Sequence, residues 1–111
     1  MYTINMADFE KTENSEVSAE VVDEAAYSLP PNGQVVFYND DYTTKDFVVD
    51  VLVAVFHKSE ADACNIMETV HQNGSAVVGV YSYDIAATRA AVVKQRAREQ
   101  GFPLRVEVQK V

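Results

Sequence analysis

The chain has 111 residues, of which 17 are acidic and 9 are basic, and its net charge is -8 at pH 7. This length supports one hydrophobic core but not two, and no apolar run approaches the roughly 20 residues of a membrane span. The excess of acid excludes nucleic acid as an expected partner, because neutralising phosphates requires a basic face.

The amino-terminal segment predicts a cytoplasmic protein. It lacks the basic start and apolar core of a secretory signal, and its acidity is unlike that of organellar transit peptides. The single cysteine, Cys64, cannot form an internal disulfide, which fits a reducing compartment. We therefore expect a soluble protein that makes no contact with membranes.

Residues 1–33 hold most of the excess charge. They contain seven acidic residues and one basic residue, Lys11, so their net charge is -6. Such a segment buries too little apolar surface to offset the entropy of ordering it. We expect a flexible acidic extension that ends at Pro30-Pro31-Asn32-Gly33, followed by one core domain over residues 34–111.

The first elements of the core domain are a strand and two helices. Residues 34–38 are rich in β-forming residues and are bounded by turn formers. Thr43-x-x-Asp46 has the form of a capping box and precedes an apolar face, which predicts a helix. Ser59-x-x-Asp62 repeats this start signal, and Asn73-Gly74 is a good terminator for the second helix.

The remaining residues predict a strand, a helix and a closing strand. Residues 75–83 are β-branched and aromatic, and a helix from Asp84 ends in basic residues before Gly101, where the helix dipole favours cations. Residues 104–109 alternate between apolar and polar side chains, as a half-buried strand does. The order β-α-α-β-α-β indicates an α+β fold with three helices on one side of a small three-stranded sheet.

Two groups of polar residues are candidates for a site. Asn39-Asp40-Asp41 follows the first strand, and His71 shares a helix face with Met67 and Val70. Each group also has a structural interpretation, as an Asx turn and as a histidine favouring the helix dipole. If the groups converge, their oxygen and nitrogen acceptors suit a primary ammonium, which has three N–H donors.

An enzyme or a metal site is the alternative that these residues leave open. Asp40, Asp41 and His71, alone or with His57 and Cys64 added, supply suitable side chains. However, the sequence contains no HExxH, CxxC, phosphate-binding glycine loop or serine nucleophile motif. We therefore expect no enzymatic activity, no metal and no cofactor.

Three segments resemble the ClpS family, the adaptors that deliver N-degron substrates to the Clp ATP-dependent protease. They are VVFYNDDYTTKDFVVDVL, METVHQNGSAVVGVYSYDIAATRAAVV and FPLRVEV, in the order and at the spacing of the family. The resemblance covers roughly residues 34–111. It implies a three-stranded antiparallel sheet packed against three helices, a monomer, and binding of proteins whose free amino terminus begins with Leu, Phe, Tyr or Trp.

The resemblance also implies a role for individual residues. The residues expected to bind the α-amino group are Asn39, Asp40, Asp41 and His71, with Asp41 in direct contact. Those expected to line the pocket for the first side chain are Phe37, Thr43, Val48, Met67, Val70 and Leu104, with Lys45 at its mouth. Those expected to dock on the amino-terminal domain of a ClpA- or ClpC-type unfoldase are Asp84 and Arg89. His71 is expected to accept as a neutral imidazole, so protonation in acid weakens binding.

Lys45 departs from the family pattern. Members of the family usually have Pro and then Met where this chain has Thr44 and Lys45. The family's Met helps to reject β-branched residues, so Lys45 puts the usual selectivity in question. A lysine there can lay its stem over the pocket and hold its charge in solvent. This departure supports an alternative, a ClpS-like interaction module with altered or lost N-degron specificity.

Overall fold

The structure is a computed structural model that describes residues 31–111. Residues 1–30, which include all the charges of the predicted flexible extension, lie outside the described residues. The elements are β1 (Asn32–Tyr38), α1 (Lys45–Ala54), α2 (Glu60–Asn73), β2 (Ser75–Ser82), α3 (Tyr83–Gln100) and β3 (Arg105–Lys110). The predicted order of elements and the α+β class are therefore confirmed.

The central strand of the sheet is β1, and the strand order is β2-β1-β3. Both pairings are antiparallel, with Val36 opposite Val77 on one side and Glu107 on the other. Residues alternate between the two faces of a strand, and Val35 and Phe37 are fully buried on the face that carries the helices. The sheet is thus the antiparallel one that the resemblance implies.

Gly33 allows α3 to pack closely on the sheet. A Cβ atom at this position would lie 2.8 Å from a methyl carbon of Val108 and 2.9 Å from the Cβ atom of Ala86. Contacts this short force atoms to shift, so only glycine fits without rearrangement. Ala86, Ala90, Val93 and Ala97 form the buried face of α3, and three of them are alanine, as this close approach requires.

The helix ends follow local hydrogen bonding. The Ser59 hydroxyl accepts from the N–H of Asp62 at 3.1 Å, as its start signal predicts, and Gly74 ends α2 with a left-handed φ of 91°. The predicted capping box at Thr43 is wrong by one residue. Thr44 is the cap of α1, and its hydroxyl accepts from the N–H of Phe47 at 3.1 Å.

Other predicted boundaries change by one or two residues, as at the end of β2 and at both ends of β3. β1 begins at Asn32 rather than at residue 34, and α3 begins at Tyr83 rather than at Asp84. Asp84 lies in the first turn of α3, where a negative charge is favourable. No helix in residues 31–111 is long and apolar enough to cross a bilayer.

One hydrophobic core lies between the sheet and the helices. Phe37 of β1 meets Phe56, which follows α1, edge to face with ring centroids 5.9 Å apart. Phe47 of α1 meets Phe102 in the same way at 5.1 Å. Edge-to-face aromatic pairs add stability beyond the area that they bury, and the second pair holds α1 close to the loop before β3.

Candidate functional site

The loop between β1 and α1 is held by the side chain of Asp40. One carboxylate oxygen accepts from the N–H groups of Tyr42 and Thr43, at 2.8 and 2.7 Å. The other oxygen accepts from the Thr43 hydroxyl at 2.7 Å. This is the Asx turn that the sequence offered as the structural interpretation of Asp40. It also explains why Thr43 does not cap α1, because its hydroxyl is bonded to Asp40.

The same hydrogen bonds set the charge state of Asp40. Partial burial raises the pKa of the Asp40 carboxyl, but the bonds from the Thr43 hydroxyl and from the backbone N–H groups of Thr43 and Tyr42 outweigh it. The pKa is therefore lower than the ordinary value of an aspartate. Hydrogen bonds donated to a carboxylate favour its ionised form, so Asp40 is a charged acceptor that the loop itself uses.

Asp41 differs from its neighbour in both contact and exposure. Its side chain is exposed, and within residues 31–111 its carboxylate accepts none of the hydrogen bonds that hold the loop. Since Asp41 lies directly beside a residue whose side chain closes the loop, its backbone is held in place and its carboxylate stays open to a ligand. An anion prepared in this way suits a cationic ligand.

A backbone hydrogen bond brings the loop to the end of α2. The Asn39 N–H donates to the carbonyl oxygen of Gly74 at 2.9 Å, which joins the residue after β1 to the residue that ends α2. His71 lies in the last turn of α2 and is exposed, whereas Val70 beside it is buried. The two polar groups, which are far apart in sequence, therefore meet at one end of the sheet.

These residues surround a cavity of about 270 Å³. Its lining combines acceptor groups from the loop and α2, an apolar wall, and one lysine. The lining residues are Asn39, Asp40, Asp41, Thr43, Lys45, Val48, Met67, Val70 and His71. A small cavity with an apolar wall and a few convergent polar groups is typical of ligand sites.

The structure brings together most of the predicted site residues but not all of them. The four residues predicted to bind an amine line the cavity, as do five of those predicted for the pocket and its mouth. Phe37 does not, because its side chain points into the core and is fully buried. Leu104 does not either; it is 8% exposed and lines a separate hollow with Arg98 and Phe102.

Asp84 and Arg89 lie on α3, apart from this cavity. Asp84 is exposed in the first turn of the helix. The Arg89 guanidinium lies 5.1 Å from the centre of the Tyr81 ring, a distance at which a cation is attracted to an aromatic face. The two residues thus offer one negative and one positive charge near the start of α3.

Every residue that lines the cavity is among those predicted for the site, and Asp41 rather than Asp40 is the aspartate predicted for direct contact. The hydrogen bonds from the backbone N–H groups of Tyr42 and Thr43 form the Asx turn on Asp40, and they identify Asp40 as the residue that holds the loop. Within residues 31–111, no three His, Cys, Asp or Glu side chains are grouped as metal ligands.

Comparisons with known proteins give consistent results. The family described as "ATP-dependent Clp protease adaptor protein ClpS" matches residues 28–107. The Clp protease adapter protein ClpS of Acetivibrio thermocellus is 53% identical over 78 residues, which are 70% of this chain and 79% of that protein. The ClpS of Myxococcus xanthus is 51% identical over 80 residues, 72% of this chain and 75% of that protein.

A solved structure is similar in fold as well as in sequence. It is the structure of Agrobacterium tumefaciens ClpS2 bound to L-phenylalaninamide, with a TM-score of 0.72 and 42% sequence identity. The match covers 75% of this chain and 100% of the other. The similarity thus extends over the whole of the solved domain.

Proposed function

Because the chain belongs to the ClpS family of ATP-dependent Clp protease adaptors, we propose that it recognises proteins by their free amino terminus. The ligand is an N-degron, with a free α-amino group on a bulky apolar first residue: Leu, Phe, Tyr or Trp. The adaptor delivers this substrate to a ClpA- or ClpC-type unfoldase in the cytoplasm. As an adaptor, the chain is not itself a protease, and the proposal needs no catalytic residue or cofactor.

The observation that carries the proposal is the division of the cavity into a polar part and an apolar part. Asn39, Asp41 and His71 supply an amide oxygen, a carboxylate and an imidazole nitrogen. These three acceptors match the three N–H donors of a primary ammonium. The ligand of the similar ClpS2, L-phenylalaninamide, carries both a free amine and a benzyl side chain, which is the same combination.

The apolar wall suits the first side chain of the substrate. Val48, Met67 and Val70 come from α1 and α2 and lie beside the acceptors. Burying apolar surface here stabilises the complex by roughly 25 cal/mol per Å². Met67 is unbranched and can adjust to rings or to Leu, because methionine fills irregular spaces. The pocket therefore selects by size and apolar character, while the acceptors select for a chain terminus.

Delivery requires a second surface, for which we propose Asp84 and Arg89. The two side chains are exposed or partly exposed on α3 and do not line the cavity, so a substrate and an unfoldase domain can bind together. We further infer that residues 34–111 form the binding domain, that residues 1–33 are an extension of it, and that the adaptor acts as a monomer.

The test is a titration with a peptide that begins with Phe and with its amino-acetylated twin. Acetylation removes the charge and two donors, and each acceptor left unpaired in the site costs about 1–3 kcal/mol. We expect the acetylated peptide to bind at least about tenfold more weakly. Equal affinities for the two peptides would contradict the proposal.

One observation favours a second candidate function. Lys45 places a charged side chain on the cavity, where a purely apolar lining would be expected for a hydrophobic first residue. A ClpS-like interaction module that has lost its N-degron specificity would bind neither the free peptide nor the acetylated one. The same titration therefore separates this module from the adaptor.

A further inference from the structure

Lys45 is the only lysine or arginine among the residues that line the cavity. One salt bridge forms within residues 31–111, and it joins Arg105 to Glu107. Lys45 therefore has no carboxylate partner in the described part of the chain. The Lys45 ammonium can therefore form an ion pair with a ligand that binds in this cavity.

The position of Lys45 on α1 places it at the mouth of the cavity. It is the first residue of the helix and is exposed, while Val48, three residues later, is buried. Residues at this spacing lie on the same side of a helix, one turn apart. Lys45 therefore lies one helical turn from Val48, at the solvent-exposed edge of the cavity that both residues line.

This position is electrostatically unfavourable in the absence of a ligand. The amino-terminal end of a helix carries a partial positive charge, which disfavours a cation there. Asp46 offsets this within the same turn of α1, but it does not line the cavity. A residue that departs from a local rule at the edge of a binding site is expected to serve recognition.

The carboxylates inside the cavity do not neutralise Lys45. The Asp40 carboxylate accepts three hydrogen bonds from the loop, and the proposed function assigns Asp41 to the ligand amine. A bound chain whose amine and first side chain occupy the two parts of the cavity must leave across its mouth. Since adjacent Cα atoms are about 3.8 Å apart, the second residue of the ligand lies close to that mouth.

We propose that Lys45 is a specificity-determining residue that favours Asp or Glu at the second position of the substrate. This inference rests on the proposed function and refines its substrate class to a bulky apolar residue followed by an acidic one. A carboxylate on the second residue pairs with the Lys45 ammonium, whereas a lysine or arginine there is repelled. Because the pair is exposed, its effect is modest, about two- to fivefold in affinity.

The experiment uses three free-amine peptides that begin with Phe and differ only at the second residue, which is Glu, Gln or Lys. Their affinities are measured for the full chain and for the variants Lys45→Met and Lys45→Glu. Lys94→Met serves as a matched control, because Lys94 is exposed on α3 and does not line this cavity. Each titration is repeated at about 50 mM and about 500 mM salt, since salt screens exposed charges.

We expect the parent chain and Lys94→Met to bind the Glu peptide about two- to fivefold more tightly than the Lys peptide at low salt. Lys45→Met should lose this preference and Lys45→Glu should reverse it, and high salt should reduce it in the parent. The same preference in Lys45→Met as in the parent, or no preference in the parent, would overturn the inference.

The Gln peptide separates failure of this inference from failure of the proposed function. Binding of the free Gln peptide, but not of its acetylated form, supports recognition of a free amino terminus whatever residue 45 does. If those two forms bind equally, the proposed function fails. If the free Gln peptide binds more tightly than its acetylated form, but the ratio of the affinities for the Glu and Lys peptides is the same whatever residue stands at position 45, only the specificity inference fails.

Discussion

The carboxylate of Asp40 and the residue Thr43 are joined by two hydrogen bonds of 2.7 Å, one from the hydroxyl and one from the backbone N–H. Together with the bond from Tyr42, they close the loop between β1 and α1. Asp41 lies inside this closed loop, so the hydrogen bonds of its neighbour hold the backbone that carries it. The two adjacent aspartates thus differ in their contacts, because Asp40 accepts the hydrogen bonds that close the loop and Asp41 accepts none of them.

The first prediction compares Asp40→Ala with Asp41→Ala. Asp40→Ala should lower the free energy of unfolding by about 1–2 kcal/mol, because three donors in a partly exposed loop lose their acceptor. Asp41→Ala should change it by less than about 0.5 kcal/mol, yet weaken binding of a Phe-initiated peptide at least about tenfold, since it removes the charged acceptor. Urea unfolding and peptide titration measure the two effects. An equal loss of stability in both variants would contradict the assignment.

The second prediction concerns pH. The pKa of Asp40 is lower in the folded chain than in the unfolded one, so ionised Asp40 stabilises the fold. This contribution is complete above the ordinary aspartate pKa of about 4 and is lost as the pH falls through the lower, folded value. Thr43→Val removes the hydroxyl donor and should raise the pKa of Asp40, as followed by NMR of its carboxyl carbon.

Thr69→Val is the control for this measurement. Its hydroxyl donates to the Asn65 carbonyl within α2, at 2.9 Å, and does not contact Asp40. This variant should leave the titration of Asp40 where it is in the parent. If Thr43→Val also leaves the pKa of Asp40 unchanged, the Thr43 hydroxyl does not help to lower it.

The third prediction distinguishes core residues from pocket residues. Phe37→Leu should lower the free energy of unfolding by more than about 1 kcal/mol, because Phe37 is fully buried against Phe56. It should not change the relative affinities for Leu- and Phe-initiated peptides. Met67→Ala, at the cavity wall, should change those relative affinities. A shift in selectivity from Phe37→Leu without a loss of stability would place Phe37 in the pocket after all.

The fourth prediction tests the contact between α3 and the sheet. Gly33→Ala should destabilise the fold by about 1–3 kcal/mol, because the added methyl group meets Val108 and Ala86. The adjacent Asn32→Ala is the control; Asn32 is exposed, and its replacement should change stability by less than about 0.5 kcal/mol. Urea denaturation of both variants measures the difference, and similar midpoints would argue against the close packing.

The fifth prediction concerns delivery. Asp84→Asn and Arg89→Gln should weaken binding to the amino-terminal domain of a ClpA- or ClpC-type unfoldase by a few fold each, since exposed charge pairs contribute about 0.2–1 kcal/mol. Neither variant should change peptide binding, because neither residue lines the cavity. Arg96→Gln, an exposed change on the same helix, is the control. Unchanged unfoldase binding in both variants would exclude this surface.

The sequence predicts the helices and strands well because the signals that begin and end them act over a few residues. Ser59, Gly74 and Gly101 each act through hydrogen bonds or backbone angles within a few residues, which a sequence pattern can indicate. Thr43 shows where this reasoning fails. Its pattern fits a capping box, but the Asp40 carboxylate takes its hydroxyl, and the cap passes to Thr44. Competition between two local hydrogen bonds cannot be settled from spacing alone.

The site depends on contacts that a linear pattern does not contain. The Asn39–Gly74 hydrogen bond brings the loop to the end of α2, and spacing gave no reason to expect it. The resemblance to ClpS anticipated the meeting of Asn39 and His71, yet it also placed Phe37 and Leu104 in the pocket. Strand alternation accounts for Phe37, because its neighbours Val36 and Tyr38 face the other side of the sheet.

The central position of β1 in the sheet affects how the site responds to local unfolding. Its backbone amides are hydrogen-bonded on both flanks, so they are expected to exchange with deuterium only when the domain opens globally. The loop for which we propose amine binding is attached to the end of this strand. Fraying of β3 alone should therefore leave the loop in place, whereas separation of β2 from β1 should break the Asn39–Gly74 hydrogen bond and open the site.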